Sequence, residues 1–538
     1  MKLFRRIILI TFLCTLLISA KDSEQGKIYL KNWHMKSSLL VKDAEAAIST
    51  GKYNTEGWYK AQVPITVLNT LIRNGVYPNP RLDLNDFLIP DVSDEFNKKY
   101  DLAKYSYLPD HKNPWKDPYW FTTEFTIPKE ETGKIVWLNF NGINYRADVW
   151  VNGKKVADSS TMAGMFQRFK YNITDYVNRN GNNYVAVKIY QLDHPGNPNP
   201  GIQKEVLGDN RKFTDDVFKD VTLKISGGWD CAPVVRDRNI GIYQDVYVSF
   251  TNEVDIVNPY IVTHLPVPDT TSADITISAQ LVNVSNKTQK GILKGKIDLI
   301  NEVDFVTYTK KMPGKMESVT FEKEVEVNPG DTVNVIFTSK DFPQLTIKNP
   351  YLWWPNGYGQ QYLHNLELSY VLDNKLSSKK DVEFGIRELS SDLKELNGEY
   401  GRVFYINGRK VFCKGGWLQP DILLDMDKKR FYDEARLLAN ANVNLIANED
   451  QPAPREDYME AADKYGLMQW AVFYQCFTAA PGKETQHNPL DHNLSIKNSR
   501  DILLRYRNYP SVILYVAAVE VTPDEDIYTR LRSSIKEL

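Results

Sequence analysis

Glu520 has the setting that most invites chemistry. It closes an unbroken apolar run, Val512-Ile513-Leu514-Tyr515-Val516-Ala517-Ala518-Val519, and Thr522-Pro523-Asp524 then opens a helical pattern. A β-branched and aromatic run between turn signals reads as a strand buried on both faces, the pattern of a parallel sheet. A carboxyl group at the C-terminal end of such a strand stands where barrel enzymes keep their reacting groups. Held there, it donates a proton near neutral pH once burial or a second carboxylate raises its pKa. Capping the helix that follows is the other use for Glu520, and the local sequence leaves both open.

The elements that would position Glu520 begin after Phe384-Gly385-Ile386-Arg387. A hairpin at Asn407-Gly408 leads to an expected strand, Val411–Lys414, then a helix over 428–441 with Phe431, Ala435, Leu437 and Leu438 on one side. Strand 444–447, helix 455–465, strand 467–472, a helix near 495–505, the strand ending at Glu520 and a final helix over 526–538 complete the pattern. Strands alternating with helices imply a parallel sheet with crossover connections. Four such units are half of an eight-unit barrel, which takes about 250 residues. The expectation is therefore a chain that stops inside its barrel, with two open sheet edges of a kind proteins normally cover.

Upstream the rhythm is different. Residues 27–50 read as weakly amphipathic helix, and Trp58–Asn69 leads into the turn-rich Gly75–Pro80. From Pro118 a period of two takes over: Pro118–Phe125, Ile135–Phe140, Arg146–Val151 running into the hairpin signal Asn152-Gly153, Tyr184–Ile189 and Tyr243–Val248. Short strands at regular spacing predict a β-sandwich to about residue 252. Residues 253–385 repeat the theme in Ala273–Leu281, Thr332–Phe337 and Leu366–Val371, and predict a second, immunoglobulin-like sandwich acting as a spacer.

Composition sets outer bounds. The 538 residues suffice for two to four domains, and a net charge of −2 without a basic stripe gives no footprint for nucleic acid. The 12% aromatic share, with 31 Tyr and 11 Trp, is read first as sandwich core and second as sugar-stacking surface. Lys2, Arg5 and Arg6, the apolar run Ile7–Ile18 and Ser19-Ala20 follow the order of a secretory signal peptide over residues 1–20. The run is too short for a stable membrane span. Cys14 lacks the small residue before it that a bacterial lipoprotein site wants, which favours a cleaved leader over a lipid anchor. Cys231, Cys413 and Cys476 make no disulfide framework, and neither they nor the seven histidines show metal-ligand spacing, so no metal or other cofactor is expected.

With these motifs in place the chain resembles glycoside hydrolase family 2, in its exo-β-D-glucosaminidase and β-mannosidase branch. The likeness runs through Trp58–Thr66, Leu138–Gly153, the long Trp229-Asp230-Cys231-Ala232-Pro233 … Arg236–Tyr243 motif, Asn349–Gly357, and Lys414–Asp421. It implies a jelly-roll-like β-sandwich over 27–252, an immunoglobulin-like sandwich over 253–385 and the first half of a (β/α)8 TIM barrel over 386–538. It also implies an exported retaining hydrolase that removes a terminal β-linked sugar, glucosamine or mannose, from an oligosaccharide or glycan. In that likeness Glu520 falls on the general acid/base. Asp230 and Trp229 reach the substrate pocket, Trp417 and Asp421 lie in a loop shaping the sugar subsite, and Glu449 meets the substrate amine.

Three departures qualify the likeness. Ala447 stands where the family usually has Arg, and Val519 where it usually has a polar residue next to the acid/base. The glucosaminidase branch has Asp, not Glu, at the position of the acid/base, Glu520. No residue within 1–538 is assigned as the nucleophile, so weak or absent activity is expected of these residues alone. The competing reading is a non-catalytic carbohydrate-binding or scaffold protein on a degenerate glycosidase fold.

Overall fold

A computed structural model describes residues 26–198, 214–228, 233–448, 455–473, 488–518 and 524–538. The fold is multidomain and mostly β, and contacts divide it into two compact units. One holds residues up to 207 together with Val234–Phe250; the other holds Gly208–Pro233 and everything from Thr251.

The first unit is a β-sandwich. Its six-stranded sheet runs in the order Tyr59–Gln62, Asn32–Ser37, Tyr119–Thr126, Asn182–Tyr190, Arg146–Val151, Lys154–Ala157. Its four-stranded sheet runs Lys27–Tyr29, Val246–Thr251, Ile135–Phe140, Phe169–Asn172. Residues 27–50, read from sequence as helical, hold the edge strand Lys27–Tyr29 of the smaller sheet and the inner strand Asn32–Ser37 of the larger one, followed by a 3-10 turn and one short helix, Glu45–Ile48. The reason is visible in Asn32–Ser37. Trp33, Met35 and Ser37 alternate into the core, residues 34–37 pair with Tyr119–Thr122, and period-two burial overrides a weak helical pattern.

The Arg236–Asn239 stretch of the long motif is packed inside this unit. The fully buried Arg236 reaches Asp86 from Nε at 3.0 Å and from Nη2 at 2.5 Å, and lies 4.8 Å from the Phe96 ring centre. Arg238, equally buried, holds Asp91 with two nitrogens at 2.9 and 3.0 Å. Charges survive burial only when paired in this way.

The second unit contains another sandwich. One sheet joins Val254–His264, Ser272–Asn283 and Thr332–Phe337, with Thr346–Lys348 pairing at the edge. The facing sheet is ordered Val319–Val327, Gln289–Leu299, His364–Leu372, Lys375–Phe384. Ile275, Ile277, Leu281, Leu293, Leu366 and Leu368 fill its core. A three-stranded antiparallel sheet follows (Leu389–Leu396, Glu399–Ile406, Arg409–Val411), and then a parallel sheet of Gly415–Trp417, Leu445–Asn448, Met468–Val472 and Val512–Val516. Helices Lys428–Asn440, Glu456–Tyr465 and His492–Tyr506 make the crossovers, and Glu525–Glu537 comes last.

Two expectations about these strands are corrected. The first parallel strand is Gly415–Trp417, not Val411–Lys414; the apolar Val411 instead closes the antiparallel hairpin against Phe404. A Cβ on Gly415 would fall 1.8 Å from the Leu445 carbonyl oxygen, so close strand approach selects glycine over the β-branched residues that signal a strand. The last strand spans Val512–Val516, shorter than the apolar run. Val512 and Ile513 are buried but Leu514, Tyr515 and Val516 only partly so, which departs from the fully buried strand expected. On the first helix Phe431 and Ala435 are buried as expected, whereas Leu437 is exposed, one step off the apolar stripe.

Candidate functional site

Alternation along the parallel strands sorts their side chains onto two faces. Ile446, Asn448 and Gln469 face the helices, where Tyr458 of the Glu456–Tyr465 helix meets Asn448. Leu445, Ala447, Met468 and Trp470 face the other way. At the strands' N-terminal ends Leu445, Met468 and Ile513 pack on Trp353, Leu363, Phe404, Ile406 and Val411, which closes that end.

One row further toward the C-terminal ends, the register aligns Trp417, Ala447, Trp470 and Leu514 across all four strands. The rings of Trp417 and Trp470 stand edge to face, 6.4 Å apart at 78°. Ala447 between them is 3% exposed, while Trp417 is 53% exposed. The Trp470 indole nitrogen is buried without a hydrogen-bond acceptor among the described residues. Trp470 itself is half-buried against the apolar cluster at the sheet's base, so the open face of the row is that of Trp417, the kind of surface on which the C–H face of a pyranose stacks.

Asp421 is used differently. One carboxylate oxygen accepts from the backbone N–H groups of Leu423 (2.9 Å) and Asp425 (3.3 Å), and the other receives Arg430 Nη1 at 3.2 Å. Its carboxylate therefore shapes the loop that leaves Trp417. That loop passes to the Lys428–Asn440 helix, capped by Asp427.

Of the residues singled out from sequence, Trp417 and Asp421 are placed, on the same strand-to-helix connection. Trp229, Asp230, Glu449 and Glu520 lie outside the described residues, as do Cys231 and Cys476; Cys413 is a free thiol. The stretch just before Trp229 belongs by its contacts to the unit that contains the parallel sheet, and Leu490 N donates to Lys219 O at 3.0 Å. Sequence reading passed over Trp470. Its signal was a lone tryptophan at the outward-alternating position of a short strand, weak because the same pattern serves core packing.

Behind the sheet, a void among Phe431, Ala435, Leu438, Ile446, Tyr458 and Leu467 holds only about 10 Å³. That is a packing gap, too small for a substrate. At the sheet's base Asp463 is buried; Ser511 N donates to it at 2.9 Å, and burial drives its carboxyl up to about 8 against the opposing pull of Ser511 and Arg387. Arg387 itself donates to Val512 O at 2.7 Å, its guanidinium lowered to about 10 by burial.

Two β-sandwiches followed by a helix-backed parallel sheet, with an aromatic row at the strands' C-terminal ends, define a multidomain protein of the carbohydrate-active kind. The glycosyl hydrolase 2 galactose-binding domain-like model matches residues 108–244, and the glycosyl hydrolases family 2 model matches 254–387. The chain belongs to glycoside hydrolase family 2.

Among its relatives are a mannosylglycoprotein endo-β-mannosidase of Lilium longiflorum, 31% identical over 487 residues (89% of this chain, 46% of the relative). An exo-β-D-glucosaminidase of Streptomyces avermitilis is 27% identical over 513 residues (94% and 49%). The crystal structure of the Amycolatopsis orientalis exo-chitosanase superposes with a TM-score of 0.74 at 23% identity, covering 95% of this chain and 52% of that one. The chain thus spans about half the length of the curated relatives it matches.

Proposed function

We propose that the protein is an exported retaining glycoside hydrolase that releases a terminal β-linked glucosamine or mannose from oligosaccharides. The observation that carries this is the Trp417–Ala447–Trp470 row at the C-terminal ends of the parallel strands, in a chain of this family. In this reading residues 1–20 are a cleaved leader and the two sandwiches are jelly-roll-like and immunoglobulin-like. The parallel sheet is then the first half of a (β/α)8 barrel with its site at the strand ends.

Glu520, four residues after the last strand ends, is assigned the general acid/base. Retaining chemistry requires a second carboxylate about 5–5.5 Å from it as nucleophile, and that group is assigned to no residue of 1–538. Glu449, next after Asn448, is assigned to the substrate amine, since a carboxylate–ammonium hydrogen bond exceeds a neutral one. Asp230 and Trp229 are assigned to the same pocket; the association of residues 214–228 with the parallel-sheet unit supports this.

A panel of aryl β-glycosides assayed on the full-length protein tests the reading. Hydrolysis of the β-glucosaminide or β-mannoside, reduced by orders of magnitude in Glu520→Ala with binding retained, is the expected result; turnover unchanged in that variant removes Glu520 as the acid. Glu449→Gln should harm the amino sugar more than its neutral counterpart. A methyl group at position 447, where the family likeness puts arginine, favours one alternative: a carbohydrate-binding protein without catalysis, for which the panel would give binding and no turnover.

A further inference from the structure

The first sandwich carries a cleft of about 410 Å³ to which nothing above gives a role. Small-molecule sites run from roughly 300 to 1,000 Å³. Three segments border the cleft. They are residues 50–51 just past the Glu45–Ile48 helix, the hairpin corner at Asn152, and residues 175–184, which lead into the Asn182–Tyr190 strand.

Two asparagines fix this corner. Asn152, at φ 49° in the hairpin turn, donates from Nδ2 to Tyr176 O and to Asn183 Oδ1, both at 2.8 Å. Its Oδ1 accepts from Tyr184 N at 2.9 Å. The buried Asn183 accepts from Asn178 N at 2.5 Å and donates to Asn178 O at 2.9 Å. Gly153 N donates to the Oγ of buried Ser49 at 2.8 Å, which ties in the first segment. Gly51 lets the Tyr184 ring lie against its backbone, since a Cβ there would stand 2.7 Å from the hydroxyl oxygen. The walls are thus set in advance, and little ordering remains to oppose binding.

The polar groups left over are of a different kind. The Asp175 carboxylate, the Asn178 Nδ2 amide and the Tyr184 hydroxyl line the cleft without a hydrogen-bond or ion-pair partner among the described residues. Asp175 and Asn178 are exposed, and Tyr176 between them is 41% exposed. An open aromatic ring offers a stacking face that attracts cations and repels anions. A carboxylate beside it adds a charge-assisted partner for an ammonium. An amide donor and a hydroxyl suit the oxygens of a polyol. Together they are the complement of a sugar that bears an amine.

We propose that this cleft is a second carbohydrate site, which takes an amino-sugar residue of a glycan. Tyr176 stacks on the sugar, Asn178 and Tyr184 bond its hydroxyls, and Asp175 pairs with its ammonium. None of these residues is among those assigned to the sugar at the ends of the parallel strands, so the cleft binds without reacting. The inference goes beyond the catalytic reading and does not depend on it.

Hydroxyl-radical footprinting of the full-length protein, read at Tyr176 by peptide mass spectrometry, tests this. The probes are methyl β-D-glucosaminide, methyl β-D-glucoside and cadaverine, at matched radical dose. Saturating glucosaminide should lower Tyr176 oxidation about twofold, because a stacked sugar covers one of the two ring faces. Cadaverine should give no protection. The glucoside should need about threefold more ligand for half-protection, the worth of an exposed charge pair. Asp175→Asn should raise the glucosaminide requirement to that of the glucoside, with kcat/KM on an aryl β-glucosaminide unchanged.

No protection by either sugar, or protection by cadaverine equal to that by the glucosaminide, overturns the proposal. So does equal half-protection by the two sugars in the wild type, or a glucosaminide preference that survives in Asp175→Asn. Loss of aryl-glycoside turnover in that variant would make the cleft part of the catalytic pocket, which also overturns it. A wild type that cleaves no aryl glycoside defeats the catalytic reading alone, and the footprint still decides the cleft.

Discussion

The carboxamides of Asn448 and Gln469 meet at 2.5 Å, Nδ2 to Oε1, in the layer between the parallel sheet and the Glu456–Tyr465 helix. Tyr458 donates its hydroxyl to Asn448 Oδ1 at 2.8 Å, and Gln469 Nε2 reaches toward Ser511 Oγ at 3.5 Å. All four residues are buried. Because strand side chains alternate, fixing Asn448 and Gln469 on the helix side fixes Ala447 and Trp470 on the other. The polar thread thus sets the face on which the tryptophan row appears.

Gln469→Leu should accordingly destabilise the protein by about 1–3 kcal/mol, because it leaves the Asn448 amide donor buried and unpaired. Tyr458→Phe removes a single hydroxyl and should cost about 1 kcal/mol. Chemical denaturation of the two variants measures both. A Gln469→Leu protein as stable as wild type would mean that the thread is dispensable.

Asp463 gives a pH prediction. Its folded pKa, raised by burial to about 8, exceeds the ordinary 3.8, so the folded state holds the proton across that interval and the unfolded state does not. The stabilising contribution of this proton is complete below pH 4 and is lost progressively as pH rises toward 8. Asp463→Asn keeps an acceptor for Ser511 N and should flatten the decline, with its largest relative gain near pH 8. Thermal melts of wild type and variant between pH 5 and 9 check this; parallel curves would contradict it.

His364 works in the opposite sense. It is fully buried against Phe384, ring centres 5.5 Å apart, and neither ring nitrogen has a partner among the described residues. Burial lowers its pKa from 6.5 to about 4, so the unfolded chain takes up a proton that the folded chain refuses. Stability is lost as pH falls from about 6.5 toward 4. His364→Leu should therefore gain most at low pH: at pH 5 roughly 2 kcal/mol relative to its effect at pH 8, at about 1.4 kcal/mol per unit of pKa difference. Equal effects at both pH values would show that the ring is protonated in the folded state.

How much of this was legible in the sequence depended on whether a pattern repeats. Ser272–Asn283 buries alternate residues from Ala273 to Leu281, and period two identifies it at sight. The Lys428–Asn440 and Glu456–Tyr465 helices fall within a residue or so of expectation, because caps and apolar spacing agree. Gly415–Trp417 could not be read that way. Two glycines and a tryptophan have no strand signature, and what makes them a strand is the proximity of Leu445, a tertiary fact. Trp417 was singled out through its motif, whereas its partner Trp470 is tied to it only by register, which no local pattern encodes. The side chains of Asn448 and Gln469 meet across 21 residues of sequence and were invisible for the same reason.

Asp421 separates shaping a site from touching a ligand. Its carboxylate accepts from Leu423 N and Asp425 N and pairs with Arg430, and its side chain is only 5% exposed. Asp421→Ala removes the acceptor for two backbone N–H groups in the turn that follows Trp417, and should cost about 1–2 kcal/mol of stability, comparable to losing a cap. Asp421→Asn keeps one acceptor oxygen and should recover most of this loss. If the role is positional, sugar affinity follows the same order: weakened in the alanine variant and largely restored in the asparagine variant, irrespective of whether the sugar carries an amine. A direct ligand role predicts a different pattern. Asparagine would then be nearly as damaging as alanine toward a protonated amino sugar, because the charge is gone, while both variants kept their stability. Thermal melts paired with titrations of methyl β-D-glucosaminide and methyl β-D-glucoside separate the two outcomes, and the hydrogen bonds to Leu423 and Asp425 favour the first.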